Sequence, residues 1–199
     1  MEYLNAFTRP PSTQEPGWDL PFASELCNAP EAESGWPLNS DKVRHFSLPS
    51  RPSSKDVLSE GGGRKPGILL IEDNPADANI IREALGANDV HCDLFLVNNG
   101  EQAIEFVEKV EAQRNSCPNL VILDLNLPKV TGMEVLERMR ASAGFGRIPI
   151  VILTSSDSQR DRDDASRYGA SAYLKKPSHL AEFLKLGGFF KEMIGQAAS

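Results

Sequence analysis

Cysteine is scarce in this chain: Cys27, Cys92 and Cys117 are the only three in 199 residues. They are odd in number, far apart and in no metal-type spacing, which argues against a disulfide framework or a zinc site and for reduced, structurally neutral thiols. Positive charge is also short. The 21 basic residues are outnumbered by 28 acidic ones, for a formal net charge of -7. That balance works against the broad basic surface that non-specific binding to nucleic acid or an anionic membrane requires. No run approaches the roughly 20 consecutive apolar residues of a spanning helix, and the start, Met1-Glu2-Tyr3-Leu4-Asn5, lacks the basic-then-apolar pattern of a signal peptide. A soluble, cytoplasmic protein is expected, with no direct contact to nucleic acid and no membrane insertion.

Periodic hydrophobicity is absent from the first third. Nine of the 14 prolines, nine serines, both tryptophans and Gly61-Gly62-Gly63 fall within Met1 to Pro66. A stretch of that composition cannot bury enough apolar surface to offset the entropy of ordering it. Residues 1–66 therefore read as a disordered leader, in which Trp18-Asp19-Leu20-Pro21-Phe22 and Trp36-Pro37-Leu38 are short clusters that could dock on a partner or on the domain. No internal repeat suggests a solenoid.

From Gly67 the texture changes. Ile68-Leu69-Leu70-Ile71, Asp93-Leu94-Phe95-Leu96-Val97, Leu120-Val121-Ile122-Leu123, Ile150-Val151-Ile152-Leu153 and Ala172-Tyr173-Leu174 are short apolar runs that fit strands buried on both faces. Between them lies helix punctuation. Asn74 before Pro75 is a cap followed by proline at the first helical position. Ala103, Phe106, Val107 and Val110 recur at helical spacing, and Thr131 with Glu134 forms a capping box. Ser178 precedes Leu180, Phe183, Leu184, Phe189, Phe190 and Met193. The segment from Ser158 to Tyr168, with only Ala165 and Tyr168 as apolar anchors, predicts a helix of low stability. Gly187-Gly188 is expected to kink or split the last helix. A β-α order repeated five times predicts an α/β fold with a parallel sheet covered on both faces, occupying residues 67–195.

In such a sheet, ligands bind beyond the carboxyl ends of the strands where the strand order reverses. That edge receives Glu72 and Asp73 after the first predicted strand, Asp124 after the third, Thr154 after the fourth and Lys176 after the fifth. Three acids brought together repel one another unless a cation sits among them. A hard ion with oxygen ligands, most simply Mg²⁺, meets that need. Such an ion beside a carboxylate, an ammonium and a hydroxyl is equipment for handling a phosphoryl group, with a carboxylate as covalent acceptor. The three histidines, His45, His91 and His179, stand apart from this set.

The blocks Ile68 to Pro75, Leu123-Asp124-Leu125-Asn126-Leu127-Pro128 with Gly132, Ile150 to Ser155, and Tyr173-Leu174-Lys175-Lys176-Pro177 resemble the receiver domain of two-component response regulators. The resemblance covers about Gly67 to Ile194 and holds in order and spacing. It implies a flavodoxin-like doubly wound sheet of five strands in the order 2-1-3-4-5 with five helices. It also implies that Asp124 is the phosphoacceptor, taking its phosphoryl group from a histidine of a sensor kinase or phosphotransfer protein. Glu72, Asp73 and Asp124, with the backbone carbonyl of Asn126, would hold Mg²⁺. Lys176 would bind a phosphoryl oxygen and Lys175 would be a bystander. Thr154 would swing toward the phosphoryl group and Tyr173 would rotate inward after it, altering the surface of the fourth helix, fifth strand and fifth helix. Such a protein signals rather than catalyses, assisting its own phosphoryl uptake and loss. The wording Glu72-Asp73-Asn74-Pro75-Ala76-Asp77 is similar to that of stand-alone receivers that partner bacterial phytochrome kinases.

Rival readings differ at named positions. A haloacid-dehalogenase-like phosphatase needs a second acid two residues after its nucleophile, where this chain has Asn126. A nucleotide-binding Rossmann domain needs its glycines after the first strand, whereas Gly61-Gly62-Gly63 precede it. A pseudo-receiver, binding partners without phosphorylation, would not need the intact acids, Thr154 and Lys176. With only five residues after Ile194, output through the receiver surface itself or an onward phosphorelay is expected, and a homodimer is compatible with either.

Overall fold

The structure, a computed structural model, describes residues 44–47, 65–113 and 117–197. In chain order its elements are β1 (Arg44–Ser47), β2 (Gly67–Ile71), α1 (Pro75–Ala87), β3 (Asp93–Val97), α2 (Gly100–Gln113), β4 (Leu120–Leu123), α3 (Gly132–Ala141), β5 (Ile150–Thr154), α4 (Gln159–Arg167), β6 (Ala172–Lys175) and α5 (Leu180–Ala197). The strands β2 to β6 form wherever a short aliphatic run lies between turn formers. They pair in parallel in the order β3-β2-β4-β5-β6, which counted along these five is 2-1-3-4-5. The order reverses between β2 and β4, so the residues just beyond those two strands share one crevice.

One strand was not foreseen. β1 adds antiparallel to the outer edge of β3, with Arg44 opposite Leu96 and Ser47 opposite Asp93. Those four residues fall within the stretch expected to be a disordered leader, and the expectation is corrected there. Four residues are too few to show a period of two, and what orders them is tertiary: an edge strand offers a row of unpaired N–H and C=O groups to any nearby chain. The Trp18 and Trp36 clusters, and the rest of residues 1–66 apart from 65 and 66, lie outside the described residues.

Alternation along the strands divides the interior into two cores. Leu69, Ile71, Phe95, Val97, Val121, Leu123, Ile150, Ile152 and Tyr173 pack beneath Phe106 and Val107 of α2, Leu136 and Met139 of α3 and Ala165 of α4. Their neighbours Ile68, Leu70, Leu94, Leu96, Ile122, Val151 and Leu174 pack against Ile81 and Leu85 of α1 and Phe183 and Phe190 of α5. A one-residue shift of any strand would exchange these sets, so the register is tightly specified.

The helix starts obey the expected chemistry. Asn74 caps α1 by accepting the Ala76 N–H at 3.0 Å, and Thr131 and Glu134 close the capping box at the start of α3. Ser158 caps α4 by accepting the Asp161 N–H at 3.2 Å. Of the two apolar anchors expected for α4, Ala165 is buried and Tyr168 is exposed, which leaves that helix with one.

Gly187-Gly188 does not break α5, which runs unbroken from Leu180 to Ala197. A β-carbon on Gly187 would lie 2.0 Å from the Ala84 carbonyl oxygen, so glycine is there to let α5 approach α1. Asn88 seals the crossing, its amide donating to the carbonyls of Ala84 at 2.8 Å and Leu184 at 2.7 Å. Among the described residues no helix is long and apolar enough to cross a membrane.

Candidate functional site

The strand ends deliver the site. Backbone bonds continue the ladder past the strands: the Glu72 N–H donates to the Val97 carbonyl at 3.0 Å, and the Asp124 N–H donates to the Ile71 carbonyl at 3.0 Å. The Lys176 N–H donates to the Thr154 carbonyl at 2.8 Å, which ties the loop after β6 to the end of β5. Gly132 sits against the loop after β4, where a β-carbon would lie 2.2 Å from the Asp124 carbonyl oxygen. Only a residue without a side chain lets α3 begin there, and its N–H donates to the Leu125 carbonyl at 3.0 Å.

Glu72, Asp73 and Asp124 each present a carboxylate oxygen within 4.8 Å of the others. Among the described residues this is the one cluster of three side chains of the histidine, cysteine and carboxylate kinds able to share a metal ion. Glu72 and Asp124 are buried and Asp73 is exposed, so the cluster opens to solvent on the Asp73 side. Three hard oxygen donors with one open side suit a small divalent ion that keeps several waters, and neither sulfur nor nitrogen joins them. The donor set therefore fits Mg²⁺.

Lys176 reaches into the same crevice and is better tied than the sequence suggests. Its ammonium lies 2.7 Å from Glu72 Oε2, 2.8 Å from Asp77 Oδ2 and 2.7 Å from Asp124 Oδ2. Burial works against that charge, but the hydrogen bonds that the ammonium donates to Asp124, Asp77 and Glu72 outweigh it and hold it above the usual lysine range. For Glu72 the balance falls the other way. Burial pushes its carboxyl up to about 7, although Lys176 and the Asn74 N–H both favour the ionised form.

Asp77 is the participant that sequence reading missed. It lies in the first turn of α1, where an acid is ordinarily read as a response to the helix dipole. Nothing in the local sequence set it apart, because its place in the first turn after the Asn74 cap already accounts for an acid there.

The hydroxyl and the aromatic ring lie on a second network. Thr154 is fully buried. Its Oγ1 accepts from the Asn126 side-chain amide at 3.2 Å and from the Ser156 N–H at 3.3 Å. The same amide donates to Ser155 Oγ at 3.1 Å. The Asn126 N–H turns back to Asp124 Oδ1 at 3.1 Å. Tyr173, expected to rotate inward on switching, is already 1% exposed here. Its hydroxyl donates to the Ser156 carbonyl at 3.2 Å, and the Arg162 guanidinium lies 4.6 Å from its ring centroid. Burial raises the pKa of that phenol, which keeps it a donor. Lys175 points away from the crevice and pairs with Asp157 at 2.5 Å in solvent, in keeping with a bystander.

All seven residues singled out from the sequence, Glu72, Asp73, Asp124, Asn126, Thr154, Tyr173 and Lys176, thus stand at or just behind one end of the sheet. Glu72, Asp73, Asp124 and Lys176 are gathered in the crevice, Asn126 links Asp124 to Thr154, and Tyr173 lies behind Ser156.

Comparison with known proteins agrees with the geometry. Residues 68–186 match the model of the response regulator receiver domain. The response regulator Rcp1 of Synechocystis is 35% identical over 120 residues, 60% of this chain and 82% of that one. The crystal structure of the phosphorylated cyanobacterial phytochrome response regulator RcpA superposes with a TM-score of 0.62 at 31% identity, covering 69% of this chain and 98% of that one. The Mn²⁺-bound form of response regulator Rcp1 superposes with a TM-score of 0.58 at 33% identity, covering 64% and 92% of the two chains.

Proposed function

The chain belongs to the response regulator receiver domain family, and from that premise we propose that it is the phosphoacceptor of a two-component relay, with Asp124 as the acceptor. The observation that carries this reading is the convergence of Glu72, Asp73, Asp124 and Lys176 at the switch in strand order, with the Thr154 hydroxyl linked to it through Asn126.

In this reading a carboxylate oxygen of Asp124 attacks the phosphorus carried on a histidine ring nitrogen of a sensor kinase or phosphotransfer protein. An O–P bond forms, the N–P bond breaks, and the imidazole leaves with the electron pair. Glu72, Asp73 and Asp124, with the Asn126 carbonyl, would hold Mg²⁺, as the Mn²⁺-bound form of Rcp1 encourages. When bound, the ion supplies positive charge that neutralises the transferring oxygens. Lys176 offers its ammonium to a phosphoryl oxygen. Glu72 and Asp124 are both nearly free of solvent exposure, so the acceptor is approached from the open Asp73 side. Thr154 leaves Asn126 for the phosphoryl group, and the loop from Ser155 to Ser158 relaxes with it.

Output depends on the contacts that loop makes. Ser156 accepts from Tyr173 through its carbonyl and donates to Asp161 of α4 through its hydroxyl at 2.6 Å. Movement at Thr154 therefore reaches the surface made by α4, β6 and α5, which we assign as the face read by a downstream protein. The chain acts as a signalling protein rather than an enzyme, and a phytochrome kinase is the proposed donor on the strength of the likeness to RcpA.

The test is incubation with acetyl phosphate and Mg²⁺ and then intact mass. One phosphoryl group should be gained, and both EDTA and Asp124→Ala should abolish the gain. No gain in the unaltered chain would favour the pseudo-receiver reading, and a gain that survives Asp124→Ala would move the acceptor elsewhere.

A further inference from the structure

An ammonium has three N–H donors, and those of Lys176 face three carboxylates at 2.7, 2.8 and 2.7 Å. Its donors are therefore all taken. A phosphoryl oxygen can bind Lys176 only by displacing one of the three partners. Two of them have other duties in the proposed function, on which this inference rests: Glu72 and Asp124 belong to the metal-binding set, and Asp124 is the acceptor. Asp77 has no second duty. It is also the most accessible of the three, its side chain 23% exposed against 1% for Glu72 and 4% for Asp124. Rotating it into water leaves no buried charge without a partner, whereas displacing either of the others would.

We propose that Asp77 is a positioning residue for the lysine: it holds the third N–H of Lys176 until a phosphoryl oxygen takes its place, and so competes directly with the phosphoryl group. The contact spans 99 positions of sequence and joins the first turn of α1 to the loop after β6. It is specific to that lysine, because the neighbouring Lys175 pairs with Asp157 instead.

The experiment titrates the full chain, saturated with Mg²⁺, with beryllofluoride, a tetrahedral mimic of an acyl phosphate, and reads affinity by calorimetry. Asp77→Asn keeps the shape and a helix-compatible side chain but removes the charge that competes for the ammonium. It should bind beryllofluoride about three- to tenfold more tightly, the scale expected for losing one charge-assisted competitor. Asp77→Glu, which retains the carboxylate, should stay within about twofold of the unaltered chain by the same reasoning. Glu101→Gln removes a charge from the start of α2, at the same end of the sheet, where Glu101 pairs with Lys129 and not with Lys176, and should leave affinity unchanged. Equal affinity in Asp77→Asn and the unaltered chain overturns the proposal. An equal gain in Glu101→Gln also overturns it, because the effect would then be the general field of the rim. If the unaltered chain binds no beryllofluoride, the phosphoacceptor reading falls and this inference with it.

Discussion

The side-chain amide of Asn126 donates to the Thr154 hydroxyl at 3.2 Å, so the residue two places after the proposed acceptor restrains the hydroxyl that would move toward it. The bond crosses from the loop after β4 to the end of β5, and the same amide also holds Ser155 at 3.1 Å. A net hydrogen bond contributes about 0.5–1.5 kcal/mol. Asn126→Ala should therefore shift the Thr154 side-chain populations by about two- to tenfold. Methyl NMR of Thr154 in the unphosphorylated protein should report rotamer averaging in the variant and one dominant rotamer in the unaltered chain. Indistinguishable couplings in the two would mean that packing, rather than Asn126, holds the hydroxyl.

Glu72 gives the site a pH dependence, because burial raises its carboxyl to about 7. Below that value a cation must expel a proton to bind, so apparent Mg²⁺ affinity should rise about tenfold per pH unit up to neutrality and level off above it. Without the cation the sign for stability is opposite. The folded chain holds a proton at Glu72 that the unfolded chain releases, so stability falls as pH rises from the ordinary carboxylate range through 7. In EDTA, Glu72→Gln should gain stability relative to the unaltered chain between about pH 5 and about pH 8. Thermal melts showing a pH-independent difference between the two would remove Glu72 as the titrating group.

Two adjacent glycines should respond differently to the same substitution. Gly187→Ala places a β-carbon 2.0 Å from the Ala84 carbonyl oxygen and 2.5 Å from Asn88 Nδ2. The backbone there cannot yield, and a loss of at least about 2 kcal/mol is expected. Gly188→Ala meets only Asn88 Oδ1, at 3.3 Å, while alanine is the better helix former by about 1 kcal/mol. Its effect should stay within about 1 kcal/mol of neutral. Urea unfolding of both variants is the check, and equal losses would show that helix propensity rather than the α1–α5 contact governs the pair.

The glycines also mark where sequence reading stops. From propensity alone, Gly187-Gly188 predicted a kink, because nothing local reveals that Ala84 lies one van der Waals contact away. The five parallel strands were legible, since each is a short aliphatic run between turn formers. The crevice was legible too, since topology brings the loops at the carboxyl ends of those strands to one edge. Glu72, Asp73, Asp124, Thr154 and Lys176 could be gathered for that reason. Asp77 could not, because its partner is 99 positions away and its local setting already explains an acid. Tyr168 was misjudged for a related reason: an aromatic residue in a polar segment reads as an anchor, yet it comes after the last residue of α4 and is 37% exposed.

β1 tests the same boundary in stability. Arg44–Ser47 pairs with β3 across four positions, and each backbone bond contributes about 1 kcal/mol net, against about 1–2 kcal/mol to order each residue. The two contributions nearly cancel, so the strand should matter little to global melting while protecting the amides it covers. A chain starting at residue 44 and one starting at residue 65 should differ by less than about 2 kcal/mol in urea. In hydrogen exchange, however, the β3 amides that face β1 should exchange about two- to fivefold faster in the shorter chain, the modest factor that a nearly balanced docking free energy allows, while those that face β2 keep their protection. Equal protection of both sets in the two chains would show that β3 needs no cover on that edge, and the pairing of β1 would then carry no energetic weight.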